Sequence, residues 1–402
     1  MNQPNPNSTL TKATLLLAST LTVMSGATIA PSLPAMQDHF ASVQNSDLWV
    51  RLVLTVPALF IVIGSPIAGV IVDRLGRKPL LIFCAVLYGF AGGSGYVLNS
   101  LFAILGGRAL LGLAVAGVMV SATTLIADYY IGQARATFMG LQAAFMGLGG
   151  VLFLSVGGSI ASASWRYPFL IYLFAWVLLP LILLFIYEPR RANSGGVPGE
   201  IQSQTNAAIP VNLLILVYGV TTLSQVIFYL IPVQLPFYLR DLTNATPAQS
   251  GMAIAFCTLF SAFASLSYGK IKAKLDFVSI LPAIFGFMGI GYGIIGLAGN
   301  YGLILLGLAT AGLGLGLLMP NMTVWVSATV PDAVRGRALG GLSTALFLGQ
   351  FLSPILTQPV SQNAGLGLTY AFSGALLLVL GIAFMVTKRQ VMALTAVAKP
   401  VQ

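Results

Sequence analysis

Four charged side chains, Asp73, Arg74, Arg77 and Lys78, crowd into Gly69-Val-Ile-Val-Asp73-Arg74-Leu-Gly76-Arg77-Lys78-Pro79, although the whole chain has only 19 basic and 9 acidic residues. The chemistry open to them is ion pairing and helix capping. Asp73 can accept hydrogen bonds from the orphan N–H groups of a neighbouring helix start, where the dipole also favours an anion. Gly69 lets one helix end approach a neighbour closely, Gly76 admits a turn conformation closed to other residues, and Pro79 suits the first turn of a helix. Asp128 is placed to pair with Arg77 or Arg74. Arg108, in Gly106-Gly107-Arg108-Ala-Leu-Leu-Gly112, stands among apolar residues; a charge so placed marks a functional site by default. Its candidate partners are Asp38, backbone carbonyls or an anionic substrate, and the alternative is a side chain that snorkels to the surface. One histidine, His39, and two isolated cysteines, Cys84 and Cys257, support neither a metal site nor a disulfide framework. No cofactor is expected.

The elements that hold these residues are membrane helices. The chain is 57% hydrophobic and 7% charged, against about 25% charged residues in soluble domains. Twelve runs reach the roughly 20 apolar residues needed to cross a bilayer: 13–36, 48–72, 79–98, 102–126, 136–161, 167–187, 210–238, 248–268, 278–298, 302–327, 338–360 and 367–387. The first is longer than a signal-peptide core and lacks a clear cleavage site, so it is read as retained. The expected fold is an all-α membrane protein of two pseudo-symmetric six-helix bundles, 1–187 and 210–402, with a polar Gly/Ser/Gln/Asn-rich cytoplasmic linker at 188–209. With the N-terminus inside, fifteen of the 19 Lys and Arg are cytoplasmic, which satisfies the positive-inside rule. The net charge of +10 therefore reads as topology and not as a nucleic-acid surface.

An internal repeat runs at an offset of 200 residues. It pairs Gly69 with Gly269, Gly112 with Gly312, Met119 with Met319, Arg135 with Arg335, Gly140 with Gly340 and Gly149 with Gly349. Such a repeat places a transport site between the halves near the bilayer midplane. Gly140, Gly149, Gly157 and Gly158 give the fifth helix a flat packing face. In the seventh helix, Tyr218, Thr221, Gln225, Phe228 and Tyr229 mix rings with amides and hydroxyls, a lining suited to an amphipathic molecule. Gln142, Asn321 and Gln350 are further cavity candidates. The outermost Phe237 and Tyr238 read as an interfacial belt. Gly291-Tyr-Gly293-Ile-Ile-Gly296 spells a dinucleotide fingerprint but has no strand before it, and no Gly-x-x-x-x-Gly-Lys-Ser/Thr phosphate loop is present.

The order Gly-x-x-x-Asp-Arg-x-Gly-Arg-Lys at 69–78 resembles the signature loop between the second and third helices of the major facilitator superfamily. Arg108-x-x-x-Gly112 is similar to the fourth-helix motif linked to proton coupling in drug antiporters. The fifth-helix glycines resemble the motif of proton-coupled exporters, except that Phe153-Leu154 replaces its Gly-Pro pair. Gly26-Ala-Thr-Ile-Ala-Pro31-Ser-Leu-Pro34 resembles the first helix of twelve-helix drug exporters. The resemblance implies alternating access, with the 69–79 loop and Asp128 latching the cytoplasmic gate when the transporter is open to the outside. It implies a monomer in the cell (inner) membrane that exports a small amphipathic compound, a drug or a secreted metabolite such as a siderophore, in exchange for protons. A uniporter or importer of the same fold is the alternative, and a membrane-embedded sensor a further one. All nine acids fall at or beyond helix ends, which leaves Asp38, beside His39, as the candidate proton carrier.

Overall fold

The structure is a computed structural model that describes residues 6, 8–189 and 210–395. Most of the expected linker, with Arg190, Arg191 and Glu200, therefore lies outside the described residues, as does Lys399. Among the described residues twelve helices are long and apolar enough to span a membrane: α1 (Thr9–His39), α2 (Ser46–Leu75), α3 (Arg77–Tyr96), α4 (Leu101–Tyr129), α5 (Gly132–Ala161), α6 (Tyr167–Phe185), α7 (Val211–Thr243), α8 (Pro247–Lys272), α9 (Phe277–Gly296), α10 (Tyr301–Thr329), α11 (Asp332–Ala364) and α12 (Leu366–Val386). A short helix, α13 (Lys388–Thr395), follows.

Helices α1 and α7 are each broken once. The first runs from Thr9 to Ala27, tightens into a 3₁₀ turn over Ala30–Ser32 and resumes at Leu33. The seventh breaks at Tyr229 and resumes at Leu230. The cause is the same in both: Pro31, Pro34 and Pro232 have no N–H to continue the ladder.

The repeat is visible in packing as well as in spelling. A Cβ on Gly112 would lie 2.5 Å from the Pro57 carbonyl, and one on Gly312 would lie 2.5 Å from the Cys257 carbonyl, again 200 residues on. Absence of a side chain lets α4 approach α2 and α10 approach α8 in matching ways. Gly291, from the dinucleotide decoy, likewise faces the Gly307 carbonyl of α10.

The halves meet on the face away from the termini, where α5 packs on α8 and α2 on α11. There a Cβ on Gly251 would lie 2.5 Å from the Leu154 carbonyl, and one on Gly158 would lie 2.8 Å from the Pro247 carbonyl. Towards the face that carries the termini the halves part. There residues 131–137, at the α4–α5 corner and the start of α5, are all exposed. A Cβ added to Gly69, Gly140 or Gly340 would meet nothing within 4 Å. The close-packing roles expected of Gly69 and Gly140 are thus not realised in this conformer, because the surfaces they would serve are drawn apart.

Candidate functional site

Between the halves lies a cavity of about 340 Å3, lined by α1, α2 and α5 from one side and α7, α8 and α11 from the other. Its polar groups are Thr22, Ser25, Tyr229, Thr258 and Gln350, set among Met146, Phe228, Phe347 and aliphatic side chains; none of its lining residues is charged. Such a site rewards apolar bulk and fixes orientation with a few hydroxyls and an amide.

Arg108 stands one layer behind that wall, 1% exposed. Its Nε donates to the Val53 carbonyl of α2 at 3.0 Å and its Nη2 to the Ser25 carbonyl of α1 at 2.8 Å, with the guanidinium 4.9 Å from the Tyr172 ring centre. Among the described residues its Nη1 has no hydrogen-bond partner. Of the partners open to it in sequence, backbone carbonyls are the ones it takes. Asp38 is elsewhere: its carboxylate accepts from Arg240 of α7 at 2.8 Å.

That Asp38–Arg240 pair is the rim of a polar closure across the face away from the termini. Buried Arg51 of α2 donates from Nε to Gln234 Oε1 of α7 at 2.8 Å, and from Nη1 to Gln37 Oε1 at 3.0 Å and the Asp47 carbonyl at 2.6 Å. Gln234 in turn donates to Gln358 Oε1 of α11 at 2.8 Å. The Arg51 guanidinium also lies 4.0 Å from the Phe237 ring centre. Two halves are therefore joined through one buried cation and three amides. Outside this layer a vestibule of about 470 Å3 opens between Asp47, Asp241 and Gln362.

At the opposite face Arg77 and Lys78 of the 69–79 turn bond within their own half. Arg77 Nε meets Asp128 at 2.9 Å, Lys78 Nζ donates to the Leu183 carbonyl at 2.8 Å, and Gly76 takes φ +103°. Asp73 and Arg74 are exposed. The pattern of the Major Facilitator Superfamily matches residues 15–234 and again 214–399. The chain belongs to that superfamily. It is a multi-pass membrane transporter and not an enzyme.

Two relatives span most of it. The quinolone resistance protein NorA of Staphylococcus aureus (strain COL) is 24% identical over 327 residues, 78% of this chain and 80% of that protein. The bacillibactin exporter of Bacillus subtilis (strain 168) is 26% identical over 355 residues, 84% and 86% of the two chains. Among solved structures, the D-xylose–proton symporter superposes with a TM-score of 0.78 at 17% identity, over 93% of this chain and 96% of that one. A bacterial homolog of the human lysosomal transporter Spinster, inward-facing and occupied, gives 0.77 at 16%, over 99% and 100%. These structures share the fold.

Of the transporter's eight cavity candidates, Phe228, Tyr229 and Gln350 line the cavity. Gln225 sits behind it, within 3.4 Å of Gln350, and Thr221 is fully buried. Gln142 is tied to Ser19 at 2.8 Å. Tyr218 donates to the Ala338 carbonyl nearer the terminal face, and Asn321 bonds Tyr268 and the Phe277 carbonyl inside the second half. Asn321 and Tyr218 thus correct the sequence reading: each amide or hydroxyl finds a partner in its own bundle. Phe237 and Tyr238 are also not a belt. Both are buried, Phe237 under Arg51 and Tyr238 donating to the Ile295 carbonyl at 3.2 Å. Of the helix-packing glycines, Gly149 faces Thr20, Gly157 the Thr28 carbonyl and Gly158 the second half.

Arg51 does not stand out in the sequence, since an arginine five residues into a span reads as one that reaches the surface. The clue available is Gln234, an amide at the far end of an otherwise apolar stretch.

One ion pair at the terminal face carries a pH signature. Burial opposes ionisation of Asp276, but Lys388 at 2.8 Å together with the N–H and hydroxyl of Ser279 outweighs it and holds the carboxyl at about 2. A carboxyl lowered on folding stabilises above its unfolded value of about 4 and loses that contribution as pH falls further. Lys388→Met should therefore flatten part of the acid-induced loss of melting temperature below about pH 4. An unchanged acid limb in Lys388→Met would count against the pairing.

Proposed function

We propose that this transporter exports small amphipathic organic compounds across the cell (inner) membrane in exchange for protons, working as a monomer with both termini in the cytoplasm. The observation that carries the reading is the cavity between the halves, apolar and ring-lined, with a few hydroxyls and one amide and no charged side chain on its wall. The orientation rests on the basic residues that gather at the terminal face. On it, the conformer described is inward-open, with the Asp38–Arg240 and Arg51–Gln234 closure shutting the outside. Export is supported by the names of two relatives, a quinolone resistance protein and a bacillibactin exporter. Uphill export needs an energy source, and without a phosphate loop that source is an ion gradient.

Asp38 belongs to the closure and not to coupling. Protonating it would weaken its bond to Arg240 and so disfavour the inward-open state, the opposite of what a returning proton must do. The absence of any acid from the cavity wall favours one second reading, a carrier that needs no coupling ion. Arg108 supplies an uncompensated positive charge one layer from the cavity, and in a low-dielectric setting that charge attracts anions across several ångströms.

The test uses proteoliposomes loaded with an anionic and a neutral amphiphile of equal apolar area. Outward flux of either should acidify the lumen; flux without acidification would establish the uncoupled carrier, and no flux of either would end the reading. Arg108→Ala should lower the anion-to-neutral flux ratio by about fivefold or more, within the range of ordinary site coupling. An unchanged ratio removes the anion role.

A further inference from the structure

The start of α3 leaves backbone N–H groups without intrahelical partners. Glu188, just past the end of α6, takes two of them: the Arg77 N–H at 2.8 Å on Oε1 and the Lys78 N–H at 2.7 Å on Oε2. The carboxylate on the helix-start N–H groups of α3 is therefore Glu188. Gly76 makes room for it, because a Cβ there would lie 2.7 Å from Glu188 Oε1. Arg77 is held at both ends, its backbone by Glu188 and its Nε by Asp128 at 2.9 Å. The neighbours of both acids are joined as well. Tyr129 and Tyr187 stack with ring centres 4.4 Å apart, and the Tyr187 N–H donates to the Tyr129 hydroxyl at 3.0 Å.

The second half carries a counterpart with the charges exchanged. Lys388, 200 residues after Glu188 and just past the end of α12, meets Asp276 at the start of α9 at 2.8 Å. Each half thus fastens the end of its sixth span to the start of its third. Only in the first half does the fastening pass through the 69–79 turn.

We propose that Glu188 is a positioning residue of the cytoplasmic gate: its carboxylate fixes the backbone of Arg77 so that the side chain meets Asp128, and it ties the connection between the halves to the gate turn. This rests on the reading of the 69–79 turn as a gate. Transport by reconstituted Glu188→Ala, Glu188→Gln, Asp128→Asn, Asp73→Asn and the Glu188→Ala/Asp128→Asn double variant separates the two. Glu188→Ala and Asp128→Asn should each slow transport by about tenfold, and the double variant by no more than about tenfold, because both act through Arg77. Glu188→Gln, which keeps the shape and one acceptor, should fall between parent and Glu188→Ala, with KM unchanged in every case because the cavity is remote. Normal transport by Glu188→Ala while Asp128→Asn and Asp73→Asn are impaired would overturn the proposal and leave the gate. Losses that multiply to about a hundredfold would overturn it too, as the mark of independent effects. Normal transport by both Asp73→Asn and Asp128→Asn would overturn the gate itself and the proposal with it.

Discussion

Replacing Gly158 with valine is expected to empty the inward-open conformer. A Cβ at this position would lie 2.8 Å from the Pro247 carbonyl and 3.0 Å from Gly251 Cα. Both are backbone atoms of α8, so no side chain can swing aside; α5 and α8 must separate. Overpacking of this kind costs about 1–3 kcal/mol. The penalty falls on the state in which the outer ends touch and spares the state in which they part, so the conformer ratio should move by roughly 5- to 150-fold towards outward-open. Cysteine labelling reads this directly. A cysteine at Ser361, which lines the outer vestibule, should react faster with an impermeant maleimide added outside. One at Gly340, which has open space around it here, should react more slowly from the cytoplasmic side. Unchanged rates at both positions would show that the α5–α8 contact does not close the outside.

Arg51→Met should give the second large effect by a different route. Methionine keeps much of the apolar stem but leaves Gln234 and Gln37 facing each other's half without the guanidinium they share. Truncating one partner of a buried, hydrogen-bonded charged contact costs about 2–5 kcal/mol, in large part from the polar groups left unpaired. The cost again falls mainly on the closed outer face, where the opened vestibule would let water satisfy those amides. Spin labels at Gln44 and Asn363, both exposed at that face and on opposite halves, should show a longer distance in the variant. The parent distance retained in Arg51→Met would mean that the rim pair Asp38–Arg240 and the glycine contact hold the closure alone. In either case the exposed rim pair is expected to matter less than the buried layer, since water screens it.

How far the sequence reaches is shown by particular residues. Gly112 and Gly312 announce the repeat by position, and packing agrees because one six-helix plan places both against the same neighbour. Arg108 announces itself by type, because a lone guanidinium in an apolar run must find acceptors somewhere. Arg77 and Asp128 are readable as partners because both stand at span ends on one face. The cavity is harder. In a bilayer, lipid-facing and partner-facing positions are alike apolar, so the rotation of α7 or α10 about its axis leaves little trace in composition. Tyr218 and Asn321 look like cavity residues for that reason.

By itself, then, the chain's alternation of apolar runs and basic breaks determined twelve spans and a two-fold repeat, since bilayer thickness and the need to satisfy every backbone group leave one solution per run. The tertiary structure decided which side chains converge. Asp38 and Arg240 are 202 residues apart and Arg51 and Gln234 are 183 apart, and each pair meets only because the two halves are pressed together at one face. Glu188 reaches the start of α3 from 111 residues away for a related reason: helix-start N–H groups attract whichever carboxylate the packing brings near, and packing is not written in any single span.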